Sequence, residues 1–216
     1  MLEKMGEFFD ARLDGYEAHQ LDTIDSAREF YPFTADCLPQ EIGSCILDLG
    51  CGTGLELGYY FEKVPTAKVT GIDLAAGMLN ALREKFPDKS LTLVQGSYFD
   101  IPLGENTFDA AVSVESLHHF TKEEKVPLYE KVHAALKPEG YLILTDYFAL
   151  SEEEEQLRRA ELLRLRKEQN LRDDEFYHYD TPLTVEHEIE ALLCAGFSAV
   201  TVLNQWGPTY TLKATK

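Results

Sequence analysis

ILDLGCGTG, residues 46–54, carries an apolar run into three glycines at alternate positions, Gly50, Gly52 and Gly54. A run of this kind that ends in a glycine-rich turn reads as a buried strand whose bare backbone then passes close to another group, one carrying polar or negative atoms. What that group is depends on the rest of the chain.

Outward from this stretch, residues 44–148 alternate short apolar runs with longer segments of helical period, the pattern of a parallel sheet with crossover helices. The strand candidates are CILDL (45–49), KVTGID (68–73), LTLVQ (91–95), FDAAVSV (108–114) and GYLILTDY (140–147). Helices are expected at about 54–63, 75–86 and 122–137, the last stopped by Leu136-Lys137-Pro138-Glu139-Gly140. A further helix is expected over 24–38, behind an aromatic-rich N-terminal stretch. Residues 151–174 read as a charged helix with Ser151 as N-cap and Glu154/Arg158 and Glu155/Arg159 at i,i+4 spacing. That helix is either a solvated, salt-bridged element or a lid or partner-facing one. After a capped helix from Thr184, the runs SAVTVLNQ and TYTLKA are joined too tightly for a parallel crossover, so they form a terminal antiparallel hairpin. The fold class is therefore α/β: a Rossmann-like, doubly wound, mostly parallel sheet with a C-terminal antiparallel hairpin. Residues 1–40 form an N-terminal helical cap segment, and 41–216 form the main domain with a helical insert at about 151–180.

With 38 acidic against 20 basic residues, the formal charge of -18 argues against a nucleic-acid partner, because phosphate backbones need clustered Lys and Arg. No stretch reads as a signal peptide or approaches the roughly 20 apolar residues of a membrane span. The expectation is a cytoplasmic protein with a small-molecule partner and no nucleic-acid or membrane partner, with a homodimer as the candidate assembly. Cys37, Cys45, Cys51 and Cys194 show no zinc-site or disulfide spacing, so they are expected to be reduced and structural.

Two ligand classes use a strand, a glycine turn and a helix N-terminus: dinucleotides and S-adenosylmethionine. The dinucleotide fingerprint GxGxxG would place its third glycine at position 55, which is Leu55; the spacing here is GxGxG. Asp73, 19 residues past Gly54, can accept from two ribose hydroxyls and fits both classes. Asp48 adds a carboxylate beside the glycines, which would repel a pyrophosphate and favour a ligand with an ammonium and a sulfonium.

ILDLGCGTG, VTGIDLAAGML, VQGSYFDIPLGENTFDAAVSVESLHHF, LYEKVHAALKPEGYLILTD and TVEHEIEALLCAGF, in that order, resemble a class I S-adenosylmethionine-dependent methyltransferase of the small-molecule type, over about residues 40–214. The resemblance implies the seven-stranded methyltransferase fold, S-adenosylmethionine as cofactor and S-adenosylhomocysteine as product. It implies that Asp48, Gly50, Cys51, Gly52 and Gly54 take the methionine portion, Asp73 the ribose, and Leu74 and Met78 the adenine, although Met78 also suits plain core packing. Where the family often has Gly-Asp after the third strand, this chain has Gly96-Ser97-Tyr98. Ser97 can accept from the adenine amino group but carries no charge, and backbone at Tyr98 can share the contact. Glu115 and Ser116 would border the methionine part, with His118 near the transferable methyl.

Methyl transfer from a sulfonium needs mainly positioning and water exclusion. His118 and His119 are the candidate bases for a hydroxyl or protonated-amine acceptor, and each equally suits an imidazole that caps or packs at a strand end. No metal site is expected, because adjacent histidines after a strand should diverge and no acid has ligand spacing. Tyr16 is the candidate cap over the cofactor. The acceptor pocket should draw on Tyr16, His19, Tyr31 and Phe176 to Tyr179, aromatics that suit a flat or cationic acceptor or else cover the sheet edge. The alternatives to a methyltransferase are a protein that senses or modifies S-adenosylmethionine and a nicotinamide oxidoreductase.

Overall fold

The computed structural model describes residues 1–172 and 174–216. Seven strands form one sheet: β1 (Cys45–Leu49), β2 (Lys68–Asp73), β3 (Ser90–Gln95), β4 (Phe108–Val114), β5 (Leu136–Tyr147), β6 (Ala199–Trp206) and β7 (Thr209–Thr215). Their order is β3-β2-β1-β4-β5-β7-β6. The first five strands pair in parallel, and β7 inserts antiparallel between β5 and β6. This is the class I methyltransferase topology. The strand order reverses between β1 and β4, which opens a crevice at their carboxyl ends.

Period-two alternation divides the core between the two faces of the sheet. Leu47, Leu49, Ala111, Leu142 and Leu144 pack on one face beneath α6 (Lys122–Ala135) and α8 (Val185–Cys194). Ile46, Ala110, Val112 and Ile143 pack on the other with α3 (Ala27–Asp36) and α4 (Leu55–Lys63). α5 (Ala76–Lys85) follows β2. In front of the crevice the N-terminal strap supplies α1 (Met5–Asp10) and α2 (Tyr16–Thr23).

Several expected boundaries move. β5 begins at Leu136, inside the expected stop: Leu136 pairs with Phe108, the ladder then shifts, and it resumes at Tyr141 opposite Ala110. The surplus residues Lys137 to Gly140 are absorbed as an irregularity in the strand. α3 begins at Ala27 and not at 24, because Ile24 closes α2 and Ser26 adopts a left-handed φ of 61°. The charged helix, α7, runs Glu152–Glu168 with Ser151 capping Glu154 N. Asp173, within the longer helix expected there, lies outside the described residues. Arg158 does meet Glu154, at 3.9 Å, but Arg159 pairs with Glu123 while Glu155 takes Thr184 N and His187. Tertiary partners displace the second local pair. The four cysteines are free thiols, and no helix among the described residues is long and apolar enough to cross a membrane.

Candidate active site

The glycine turn is built for close approach. Gly50, Gly52 and Gly54 have φ of 74°, 48° and 68°, a region that side chains resist. A Cβ on Gly50 would sit 2.1 Å from Ser116 Oγ, so the β1 and β4 turns can meet only through bare backbone. Asp73 braces the turn: its Oδ2 accepts from Gly52 N at 2.9 Å and its Oδ1 from Ala75 N at 2.8 Å. Each carboxylate oxygen keeps a further lone pair, enough for ribose hydroxyls.

A cavity of about 50 Å³ lies on this turn, lined by Gly50, Gly52, Asp73, Leu74, Met78, Tyr98, Glu115 and Ser116 and covered by Met5, Phe9 and Tyr16 of the strap. That volume is about that of one or two waters, so the strap rests directly on the turn. Asp48 Oδ2 and Glu56 Oε1, on residues outside this lining, are buried without a hydrogen-bond partner among the described residues, as is Oε1 of the lining residue Glu115. Burial and then mutual repulsion push the Asp48 carboxyl well up, and burial raises Glu56. Burial, reinforced by Asp146, pushes Glu115 up to about 8. Glu115 also holds a left-handed φ of 49°, a strained conformation for a side chain. Three under-satisfied carboxyls around a glycine turn fit a ligand that brings a positively charged head, as S-adenosylmethionine does.

The other expected cofactor residues stand back from this cavity. Cys51 is buried with its sulfur against Gly71, and Gly54 caps α4 against Leu82. Gly96 is not in the lining, and Ser97 Oγ accepts from Phe99 N at 3.1 Å, a local turn bond. Tyr98, and not Ser97, lines the cavity, with its hydroxyl 3.2 Å from Ser116 Oγ.

A second cavity of about 870 Å³ adjoins the first and shares four lining residues with it, Phe9, Tyr16, Glu115 and His119. His118 and His119 sit in a one-turn 3-10 helix, Leu117–His119, at the end of β4. Asp146 organises this turn: its Oδ2 accepts from Leu117 N and His118 N at 2.8 and 3.0 Å, and its Oδ1 takes His118 Nδ1 at 2.5 Å. Burial disfavours a charged His118, but Asp146 outweighs it and pushes the ring up to about 9. Burial and the neighbouring His118 charge push His119 down to about 4. At pH 7 the two rings therefore differ in charge, with His118 an imidazolium and His119 neutral.

The expected divergence of these histidines does not occur. Both face Asp180, at 3.7 Å from His118 Nε2 and 3.1 Å from His119 Nδ1. The 3-10 turn replaces the strand geometry that would have separated them, and Asp180 arrives from the segment after α7. The insert contributes His178, which stacks on Phe8 with 3.5 Å between centroids. Tyr16 and His19 line the cavity as expected, whereas Tyr31 is buried behind it with its hydroxyl 3.5 Å from Gln20.

Sequence reasoning missed Met5, Phe9, Glu56, Asp146 and Asp180. Asp146 had a readable signal, a lone acid at the carboxyl end of the strand GYLILTDY. Glu56 stands in the first turn after the glycines and reads there as an ordinary N-terminal acid. Asp180 has no signal in the chain.

Residues 46–140 match the methyltransferase domain family. An uncharacterized methyltransferase of Geobacillus sp. (strain WCH70) is 29% identical over 185 residues, 86% of this chain and 83% of the relative. A fatty-acid O-methyltransferase of Mycolicibacterium smegmatis is 33% identical over 104 residues, 48% of this chain and 37% of that enzyme. The chain thus spans little more than a third of that second relative. The solved structure of an S-adenosylmethionine-dependent methyltransferase from Mesorhizobium loti superposes with a TM-score of 0.66 at 23% identity, over 91% of this chain and all of that one. Residues 46–140 thus match a methyltransferase domain, and the chain shares the fold of the class I S-adenosylmethionine-dependent methyltransferases.

Proposed function

We propose that the protein transfers the methyl group of S-adenosylmethionine to a small-molecule acceptor held in the larger cavity. The observation that carries this reading is the adjacency of the two cavities through Phe9, Tyr16, Glu115 and His119. It supports a donor head and an acceptor that meet at that wall. S-adenosylmethionine, when bound, supplies an electrophilic methyl on a positively charged sulfur. Asp48 and Glu56 answer its ammonium, Asp73 its ribose, and Leu74, Met78 and Tyr98 its base. Tyr16 and Phe9 exclude water from the reacting atoms. The acceptor is oriented against the His118 edge, and Asp180 and the neutral His119 stand there to receive the proton of a hydroxyl acceptor. Phe8, Phe9, Tyr16 and Tyr147, with Asp14, Asp25 and Asp180, suit a flat acceptor that is neutral or cationic.

The test is calorimetry with S-adenosylmethionine, S-adenosylhomocysteine and NAD, followed by transfer from methyl-labelled donor into a fractionated metabolite extract. Binding of the two sulfur ligands and label in a small-molecule fraction is expected. Failure to bind either ligand, or label confined to macromolecules, would overturn the proposal.

A further inference from the structure

The His118, His119 and Asp180 cluster is richer than proton transfer requires. The ligating atoms of the three lie within 4.8 Å of one another, with contacts of 3.1 and 3.7 Å to the Asp180 oxygen. Zinc-type bonds of about 2.0–2.1 Å at tetrahedral angles set ligand atoms about 3.4 Å apart, between those two values. The rings are tilted by 57° with centroids 4.1 Å apart, which brings one nitrogen edge of each toward Asp180. The far nitrogen of His118 is held by Asp146, a buried carboxylate fixed in turn by three backbone N–H groups, those of Leu117, His118 and Tyr147. A carboxylate on the outer nitrogen is how proteins orient a metal-ligating imidazole. A second observation is Glu115, whose Oε1 is buried without a hydrogen-bond partner among the described residues and whose carboxylate has an oxygen within 4.8 Å of ligand atoms of His118 and Asp146. Three carboxylates, Glu115, Asp146 and Asp180, thus surround the His118 ring.

We propose that His118 Nε2, His119 Nδ1 and Asp180 Oδ1 form a three-ligand site for a divalent transition ion of the Zn²⁺ type, its fourth position open to the acceptor cavity. Two imidazoles and one carboxylate favour Zn²⁺ or Co²⁺ over Mg²⁺ or Ca²⁺, which take all-oxygen shells. The ion takes the place of the proton on His118 Nε2, while the His119 proton moves from Nδ1, where it faces Asp180 and the Tyr179 carbonyl, to Nε2, and Asp146 and Asp180 balance the charge of the ion. An acceptor oxygen in the fourth position would be polarised and would release its proton more readily to water, because His119 and Asp180 no longer serve as bases while they hold the ion. The binding claim stands apart from methyl transfer and is read without it.

Chelator-treated full-length protein is titrated with Co²⁺ by visible absorption and with Zn²⁺ by calorimetry. One equivalent per chain is expected, with the intense ligand-field bands of a tetrahedral site that Zn²⁺ abolishes. His119→Ala and Asp180→Asn should each remove the bands, and Asp146→Asn should weaken binding by about 10- to 100-fold. His178→Ala, outside the ligand set, should leave them in place. Absence of saturable one-equivalent binding would overturn the proposal, as would a weak octahedral spectrum or bands that survive Asp180→Asn. Should a variant fail to fold, the wild-type stoichiometry and spectrum decide alone.

Discussion

Asp48 and Glu56 are buried together, and burial raises both pKa values although Lys85 partly offsets it at Glu56, so proton stays on the pair in the ligand-free protein. A bound ammonium favours the charged carboxylates and lowers those pKa values, which drives the proton off. Binding of S-adenosylmethionine should therefore release protons, and its affinity should rise with pH across the range in which the free pair titrates. Calorimetry in phosphate and in Tris at one pH checks this, because the observed enthalpies must differ by the proton count times the difference in buffer ionisation heats. Glu56→Gln should reduce that count. Asp73 has a double duty, since it braces Gly52 and Ala75 as well as facing the crevice. Asp73→Ala should weaken cofactor affinity by about two orders of magnitude, in line with the loss of two charge-assisted hydrogen bonds, while the far-UV spectrum stays native. Binding at the wild-type level would refute the assignment. Asp73 and the glycines were legible in the chain because their backbone requirement is local. Asp180 was not, because its partners stand about 60 positions away.

The strap closes the cradle through a small set of contacts. Asp10 Oδ1 accepts from Gly77 N at 2.7 Å at the start of α5, Met5 N donates to Phe176 O at 2.9 Å, and His178 N donates to Glu3 O at 3.0 Å. The strap bends at Gly15, whose φ is 80°. Because Met5, Phe9 and Tyr16 rest on the glycine turn, cofactor exchange requires this element to swing outward. Asp10→Ala removes a cap worth about 1 kcal/mol and should raise the exchange rate several-fold. Stopped-flow fluorescence with a fluorescent cofactor analogue measures it, and an unchanged off-rate would show that the strap is no gate. The parallel strands and their crossover helices were legible element by element, because apolar runs and helical periods are local patterns. The start of β5 was not, because a Pro-Glu-Gly sequence normally ends structure and only pairing with β4 keeps it in the ladder.

Across the whole molecule, α6 and α8 are tied by a buried charge network on the sheet face opposite α3 and α4. Lys125 Nζ meets Glu188 Oε2 at 2.5 Å, and Tyr129 donates its hydroxyl to Glu188 Oε1. Both charged side chains are at most 2% exposed. Glu188→Leu alone leaves a buried ammonium and should cost about 3–5 kcal/mol, whereas Lys125→Met with Glu188→Leu should recover most of it. Urea titrations of the single and double variants test this; additive losses would show that the pair does not act as a unit. Sequence by itself determined the α/β architecture, the glycine turn, the acid at the end of β2 and the terminal hairpin, since each follows from chain-local sterics and periodicity. Tertiary structure alone decided which carboxylates meet the histidines, how the strap seats on the turn and where two cavities share a wall. Those are distances between residues far apart in the chain, and only packing the strap, the sheet and the insert together sets them.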